Sequence, residues 1–160
     1  MKFKKYTFFI LVIVFFSACT KENITNVDVN DPNPGFSDIP EIKLLEVNQT
    51  TVQQYTDSLV FKIEYTDGNG DLGSTDADEG DIQLIDTRDP EILIFEYHLS
   101  PRAPIGSEIV ITGTLDIVLN NTILLDENNE SETTTFKLKI KDRAGNWSNE
   151  VETDVITITQ

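Results

Sequence analysis

The residues with the clearest capacity for chemistry form one acidic segment, TDGNGDLGSTDADEGD at 66–81. It holds six acidic side chains and no lysine or arginine. Oxygen-bearing side chains alternate at Asp67, Asn69 and Asp71, and the neighbouring glycines permit a tight turn. Because Ca²⁺ takes roughly six to eight hard oxygen ligands, this spacing predicts a calcium-binding loop. Carboxylates further along the segment are predicted to complete the shell, at Asp76, Asp78 and Asp81.

The spacing of this segment differs from that of an EF-hand. Counted from Asp67, the sixth residue is Leu72, where an EF-hand has glycine, and the twelfth is Asp78, where it has glutamate. A second interpretation stays open beside calcium binding. Asp, Asn and Gly all tolerate left-handed backbone angles, so the segment can equally be a solvated turn.

A second polar segment, DRAGNWSN at 142–149, follows the predicted penultimate strand. In an immunoglobulin-like sandwich the loops after the second and the penultimate strands lie at the same end. Asp142 and Asn146 are therefore candidate additional ligands of the predicted ion. The alternative is that Asp142 only caps its own hairpin.

The elements that would position these loops show a hydrophobic period of two. In TFKLKIKD at 135–142, apolar Phe136, Leu138 and Ile140 alternate with lysines. About seven short strands, separated by turn residues, predict an all-β fold: a single immunoglobulin-like antiparallel β-sandwich, with a barrel as the alternative. The other predicted strands are 41–47, 58–66, 81–86, 91–99, 108–119 and 155–159.

The N-terminus predicts export and lipidation. A lysine-rich start precedes an apolar run at 8–16, which is well short of the roughly 20 residues of a membrane-spanning helix. FSAC at 16–19 resembles the lipobox of bacterial lipoproteins, so Cys19 is predicted to carry the lipid. The predicted organisation is a lipoprotein signal peptide at 1–18, the lipidated Cys and a disordered tether at 19–40, and the sandwich at 41–160.

The cysteine content and the charge exclude several classes of protein. A single cysteine permits no intramolecular disulfide and no cysteine-rich zinc site. Removal of residues 1–18, which contain three lysines and no acid, would leave nine basic against 28 acidic residues, a net charge of −19. So acidic a chain repels nucleic acid and anionic lipid headgroups, and neither is a predicted partner.

The two loop motifs, together with the lipobox and the polar tether, resemble a group of Bacteroidetes lipoproteins. That group carries an immunoglobulin-like β-sandwich and is mostly of unknown function. The resemblance implies an outer-membrane lipoprotein of the cell envelope, exposed at the surface where charged residues follow the lipidated cysteine; Lys21 and Glu22 fit that pattern in part. The matched residues are Asp67, Gly68, Gly70, Asp71 and Gly73 in the first motif and Asp142, Ala144, Gly145 and Asn146 in the second.

The sequence predicts a protein without catalytic activity. His98 is the only histidine, and no nucleophile-elbow motif accompanies it. We therefore expect a non-catalytic, lipid-anchored cell-envelope module with a binding or structural role, Ca²⁺ as its cofactor, and a protein or glycan partner. The alternatives are a small surface hydrolase that uses carboxylates of the 67–81 loop, and an accessory subunit of a larger envelope complex.

Overall fold

The computed structural model describes residues 35–160, which form ten β-strands and no helix. The predicted all-β fold is confirmed. The predicted signal peptide, Cys19 and most of the predicted tether lie outside the described residues, and within 35–160 nothing has the length and apolarity of a membrane-crossing helix. The strands are β1 Glu41–Val47, β2 Thr51–Gln53, β3 Leu59–Asp67, β4 Ile82–Asp86, β5 Ile94–Tyr97, β6 Ile111–Leu119, β7 Ser131–Thr134, β8 Phe136–Ile140, β9 Val151–Glu152 and β10 Ile156–Thr159.

The seven predicted strand segments each contain a strand, whereas β2, β7 and β9 were not predicted. These three are only three, four and two residues long, too short for alternation to be visible. The predicted strand at 91–99 is also too long, because the chain turns before it. Leu93 N donates to Asp89 O in that turn, and β5 begins only at Ile94.

The strands form three sheets, in the orders β1-β3-β6, β5-β4-β8-β9 and β2-β10-β7. All pairs are antiparallel except β2 with β10, which is parallel. The longest ladder joins β3 to β6, from Leu59 opposite Leu119 to Asp67 opposite Ile111. The immunoglobulin-like type of this arrangement stays a prediction.

The hydrophobic core contains side chains from all three sheets, among them Val52 of β2 and Ile158 of β10. Side chains alternate between buried and more exposed along β3 and β8, as the period-two pattern predicts. Phe61 of β3 meets Phe136 of β8 edge-on, with ring centroids 5.3 Å apart. Burial of each such side chain stabilises the fold by roughly 1.5–3 kcal/mol, so the two sheets are held mainly by apolar contact.

The strand directions give the domain two ends. At the entry end, where β1 begins beside the end of β3, lie the acidic loop 67–81 and the second loop 142–149. At the distal end lie the segments 86–93 and 119–132, joined by a hydrogen bond from Arg88 Nη1 to Ile123 O. The entry end therefore holds the predicted site, and residues 35–40 lead into the domain there.

Candidate functional site

The acidic loop is held in a tight turn by contacts with two other segments. Gly68 N donates to Ser37 O over 2.9 Å, and Arg143 N donates to Asp71 O over 3.1 Å. Gly73 has a φ of +82°, and a Cβ atom there would lie 2.5 Å from Ser100 O. Only glycine meets both conditions, so the DGNGDLG spacing is required by the backbone of the turn.

Asp67, the last residue of β3, is fully buried. Its Oδ2 accepts a hydrogen bond from Leu72 N at 2.9 Å, but its Oδ1 is buried without any hydrogen-bond partner. Burial raises the pKa of Asp67, and the charge of Asp71 raises it further. A buried carboxylate oxygen without a partner is unfavourable for folding, so a positively charged neighbour would stabilise Asp67 in the folded state.

Asp71 shows the same feature at the next alternating position of the loop. Its Oδ1 is also buried without a hydrogen-bond partner. Burial and then the charge of Asp142 raise the pKa of Asp71, while Arg143 and a backbone hydrogen bond from Ala144 act in the opposite direction. Arg143 donates to the carbonyl oxygens of Gly73 and Gly70, so its guanidinium is already bound to the loop backbone.

Asp142 of the second loop is buried and caps its own hairpin. Asn146 N donates to its Oδ1 at 2.7 Å, and Asn146 Nδ2 donates to its Oδ2 at 2.9 Å. This is the alternative considered for Asp142 from the sequence. Its negative charge nevertheless acts on both loop aspartates, because it contributes to the raised pKa of Asp67 and of Asp71. The fold therefore brings Asp67, Asp71 and Asp142 together.

The other predicted ligands have different surroundings. Asn69 Oδ1 accepts from Asp71 N within the turn. Asp76 and Asp78 are exposed, and Asp76 Oδ1 accepts from Asp78 N in a local turn. Asp81 is buried, but its Oδ2 accepts from Leu99 N. A role of these downstream carboxylates as metal ligands stays a prediction.

The oxygen atoms at this end of the domain suit a hard cation. Residues 35–160 contain no group of three or more His, Cys, Asp or Glu side chains arranged as a metal centre. A cation here would therefore use the two partnerless carboxylate oxygens and take its other ligands from amide, carbonyl and water oxygens. Ca²⁺ accepts such mixed shells readily, because its coordination is flexible.

Sequence reasoning missed one constellation beside this site. His98 Nδ1 lies 3.2 Å from Asp81 Oδ2, and His98 Nε2 lies 3.5 Å from Ser100 Oγ. The contacts thus run in the order Asp, His, Ser. The only sequence signal for it is the spacing of two between His98, on the predicted strand 91–99, and Ser100 directly after that strand, because Asp81 is distant in the chain.

Comparison of the chain with protein-family models, with curated proteins and with solved structures finds no match. The fold and the site define the chain as an all-β domain with a glycine-rich acidic loop at one end. Its function is accordingly inferred from the contacts described above.

Proposed function

We propose that the protein is a lipid-anchored module of the cell envelope, with a binding or structural role, whose β domain is stabilised by one Ca²⁺ in the 67–81 loop. The observation that carries the calcium proposal is the fully buried Asp67, whose Oδ1 has no hydrogen-bond partner and faces repulsion from Asp71. A bound cation would give the buried Oδ1 a partner and would offset the repulsion between the two carboxylates.

Asp67 and Asp71 would supply the charged ligands of this ion. Each has one oxygen atom that is buried and without a hydrogen bond. Asn69 would contribute a neutral amide oxygen from the position between them. Asp142 would stay bound to Asn146 and add negative potential without entering the shell. Glycines at 70 and 73, both with positive φ, let the chain wrap closely around the ion.

Calcium should stabilise the fold measurably. Extracellular calcium modules bind with dissociation constants of about 10⁻⁴–10⁻³ M. At about 1 mM Ca²⁺ and a dissociation constant near 0.1 mM, the free energy of unfolding would rise by about 1.4 kcal/mol. That corresponds to a melting temperature several degrees higher for a domain of this size.

The test is thermal unfolding with calcium, with magnesium and with a chelator. We expect calcium to raise the melting temperature by several degrees and magnesium to have a smaller effect, because Mg²⁺ requires a tighter octahedral shell. Asp71→Asn should abolish the calcium effect. The exposed Asp116→Asn, on β6 and outside both loops, is the matched control and should retain it. No heat of binding in calorimetry, together with a melting curve that the chelator leaves unchanged, would identify the loop as a solvated turn.

The proposed anchor is the lipid on Cys19, which would place the protein in the outer membrane and, given the charged residues after the cysteine, at the cell surface. Support comes from the lipobox-like FSAC and from the polar segment before β1. The wild type should partition into the detergent-rich phase, and Cys19→Ser should release the protein from it. A Ser variant that partitions like the wild type would rule out lipidation.

A second candidate function is a small surface hydrolase, favoured by the Asp81–His98–Ser100 contacts. It ranks below the binding module because the 3.5 Å separation of Ser100 Oγ and His98 Nε2 is long for a hydrogen bond, and both residues are exposed to competing water. Labelling by a fluorophosphonate that is lost in Ser100→Ala and in His98→Gln would establish it. Labelling that persists in both variants would exclude Ser100 and His98 as the site of a hydrolase activity.

A further inference from the structure

The distal end of the domain contains an apolar cavity of about 120 Å³. It opens between the end of β4, the end of β6 and the start of β8. For comparison, a cavity of about 150 Å³ lined by apolar side chains accepts benzene. The cavity is thus large enough for one apolar side chain. Its apolar lining consists of Leu93, Phe95, Leu119, Ile123 and Phe136.

One polar group in this cavity lacks a partner. Thr122 lines the cavity and is 4% exposed, and its Oγ1 is buried without a hydrogen bond. Its backbone carbonyl already accepts a hydrogen bond from Tyr55 N at 3.1 Å. A partnerless hydroxyl in an apolar cavity offers a hydrogen bond to whatever enters.

Exposed apolar side chains surround the cavity. Ile92, Ile123 and Leu125 are all exposed large hydrophobic residues next to or within the lining segments. Tyr55 is 66% exposed and is the only residue other than glycine with positive φ among residues 35–160. A bulky residue in that conformation is unfavourable and occurs most often where function requires it. Exposed apolar side chains beside a cavity are typical of a protein-docking surface.

The distal end carries negative charge, which bears on the charge of a partner that could bind there. Segment 126–132 contains four acidic residues and no basic one. The nearest cation, Arg88, is already bound to Asp86 and Glu132. The surface beside the cavity is therefore negative, in a chain whose formal net charge is −16. Charge complementarity favours a basic partner.

We propose that the distal end binds an extended peptide segment of another protein, which inserts one apolar side chain into the cavity and places flanking lysine or arginine residues against segment 126–132. The proposal rests on the proposed function in one respect. A lipid on Cys19 would connect the membrane to the entry end of the domain, so the distal end would remain accessible to a partner.

The test is fluorescence anisotropy with the full-length protein in detergent and capped, labelled pentapeptides. The salt concentration is about 0.15 M, where charge interactions beyond roughly 8 Å are screened and only closer pairs contribute. The first peptide has leucine at its centre and lysine at the other four positions. The second has alanine at its centre, and the third has glutamate in place of the lysines. We expect the leucine peptide to bind about tenfold more tightly than the alanine peptide, since burial of the extra carbons is worth more than 1.4 kcal/mol. The glutamate peptide should not bind.

Two matched variants locate the binding surface. Ile123→Lys places a positive charge at the mouth of the cavity and should weaken binding about tenfold or more. Ile105→Lys makes the same change at an exposed site in the segment that leads into β6 at the entry end, and should leave binding unchanged. Equal binding of the leucine and alanine peptides, or equal losses in the two variants, would overturn the proposal.

The same assay separates this proposal from the calcium proposal. Asp71→Asn should lose the calcium effect on the melting temperature and keep peptide binding. Ile123→Lys should keep the calcium effect and lose peptide binding. Peptide binding without any calcium effect would therefore refute only the calcium site. A calcium effect without leucine-dependent peptide binding would refute only the docking surface.

Discussion

Asp67 and Asp86 are both buried aspartates that end a strand, but they lie at opposite ends of the domain and meet different partners. Asp86 is bound by the guanidinium of Arg88 and by the hydroxyl of Thr134. Arg88 also binds Glu132, so one guanidinium is shared by two carboxylates. Asp67 instead meets backbone amides and a second carboxylate, and its Oδ1 has no hydrogen-bond partner.

The comparison shows how one chain can satisfy a buried carboxylate in two ways. At the distal end it provides its own cation, which holds segment 119–132 against β4. At the entry end the nearest cation, Arg143, binds loop carbonyls and leaves the two carboxylate oxygens without hydrogen bonds. An external cation would complete the second arrangement, and this difference is the physical basis of the calcium proposal.

The largest expected effect is that of Arg88→Met. Removal of one partner of a buried ion pair leaves the other charge uncompensated, which typically costs about 3–5 kcal/mol. The free energy of unfolding, measured in urea, should fall by that amount. Lys137→Met is the matched control, because Lys137 forms a more exposed pair with Glu150 and its loss should change the free energy of unfolding little. Equal effects would mean that the Arg88 network does not stabilise the distal end.

The same substitution at the two buried aspartates should have opposite effects. Asp86→Asn removes a charge-assisted bond to Arg88 and should lower the free energy of unfolding by about 2–3 kcal/mol. Asp67→Asn, without calcium, should raise it by about 1 kcal/mol, because the amide removes a buried charge and can donate towards Asp71. Urea unfolding in chelator tests both. A loss of stability in Asp67→Asn would show that its charge is compensated within the protein.

The two ends should also respond differently to pH in the absence of calcium. Hydrogen bonds from the amides of Leu125 and Asp126 lower the pKa of Glu132 from 4.5 to about 2. The stabilisation of the fold by ionised Glu132 is therefore fully present above pH 4.5 and is lost as the pH falls towards about 2. The pKa values of Asp67 and Asp71 are raised above 3.8, so their ionisation opposes folding at neutral pH and this cost is relieved on acidification.

Unfolding curves of two variants between pH 2 and pH 7 measure these contributions separately. Glu132→Gln should remove the loss of stability below pH 4.5, the ordinary pKa of that residue. Asp67→Asn should remove part of the gain on acidification from neutral pH. Identical pH profiles for wild type and both variants would contradict the assignment of these carboxylates to different environments.

The smallest expected effect concerns Thr122, whose hydroxyl is a neutral counterpart of the Asp67 oxygen without a partner. Thr122→Val keeps the shape and removes the partnerless group, so the free energy of unfolding should rise by up to about 1 kcal/mol. The same variant should weaken binding of the leucine peptide if that hydroxyl contacts the peptide. Destabilisation by the valine would instead indicate that the hydroxyl has a partner in solution.

The strands were predictable because their signal is local. Alternation along 58–66 and 135–142 identified β3 and β8, together with the buried residues of each, since a half-buried strand must alternate. The two-residue β9 and the three-residue β2 carry no such pattern. They exist only because neighbouring strands offer hydrogen-bonding edges, which no local window of sequence contains.

The all-β class, the inward faces of the long strands and the glycine-rich acidic loop follow from the type and spacing of neighbouring residues. Which acids are buried, and which groups they contact, follows instead from how distant segments pack. Asp67 and Asp86 look alike in sequence, yet Arg88 is directed to one and no cation binds the other's Oδ1. Burial and partner choice depend on segments far apart in the chain, such as Asp71 and Arg143 or Arg88 and Glu132, and spacing does not encode those contacts.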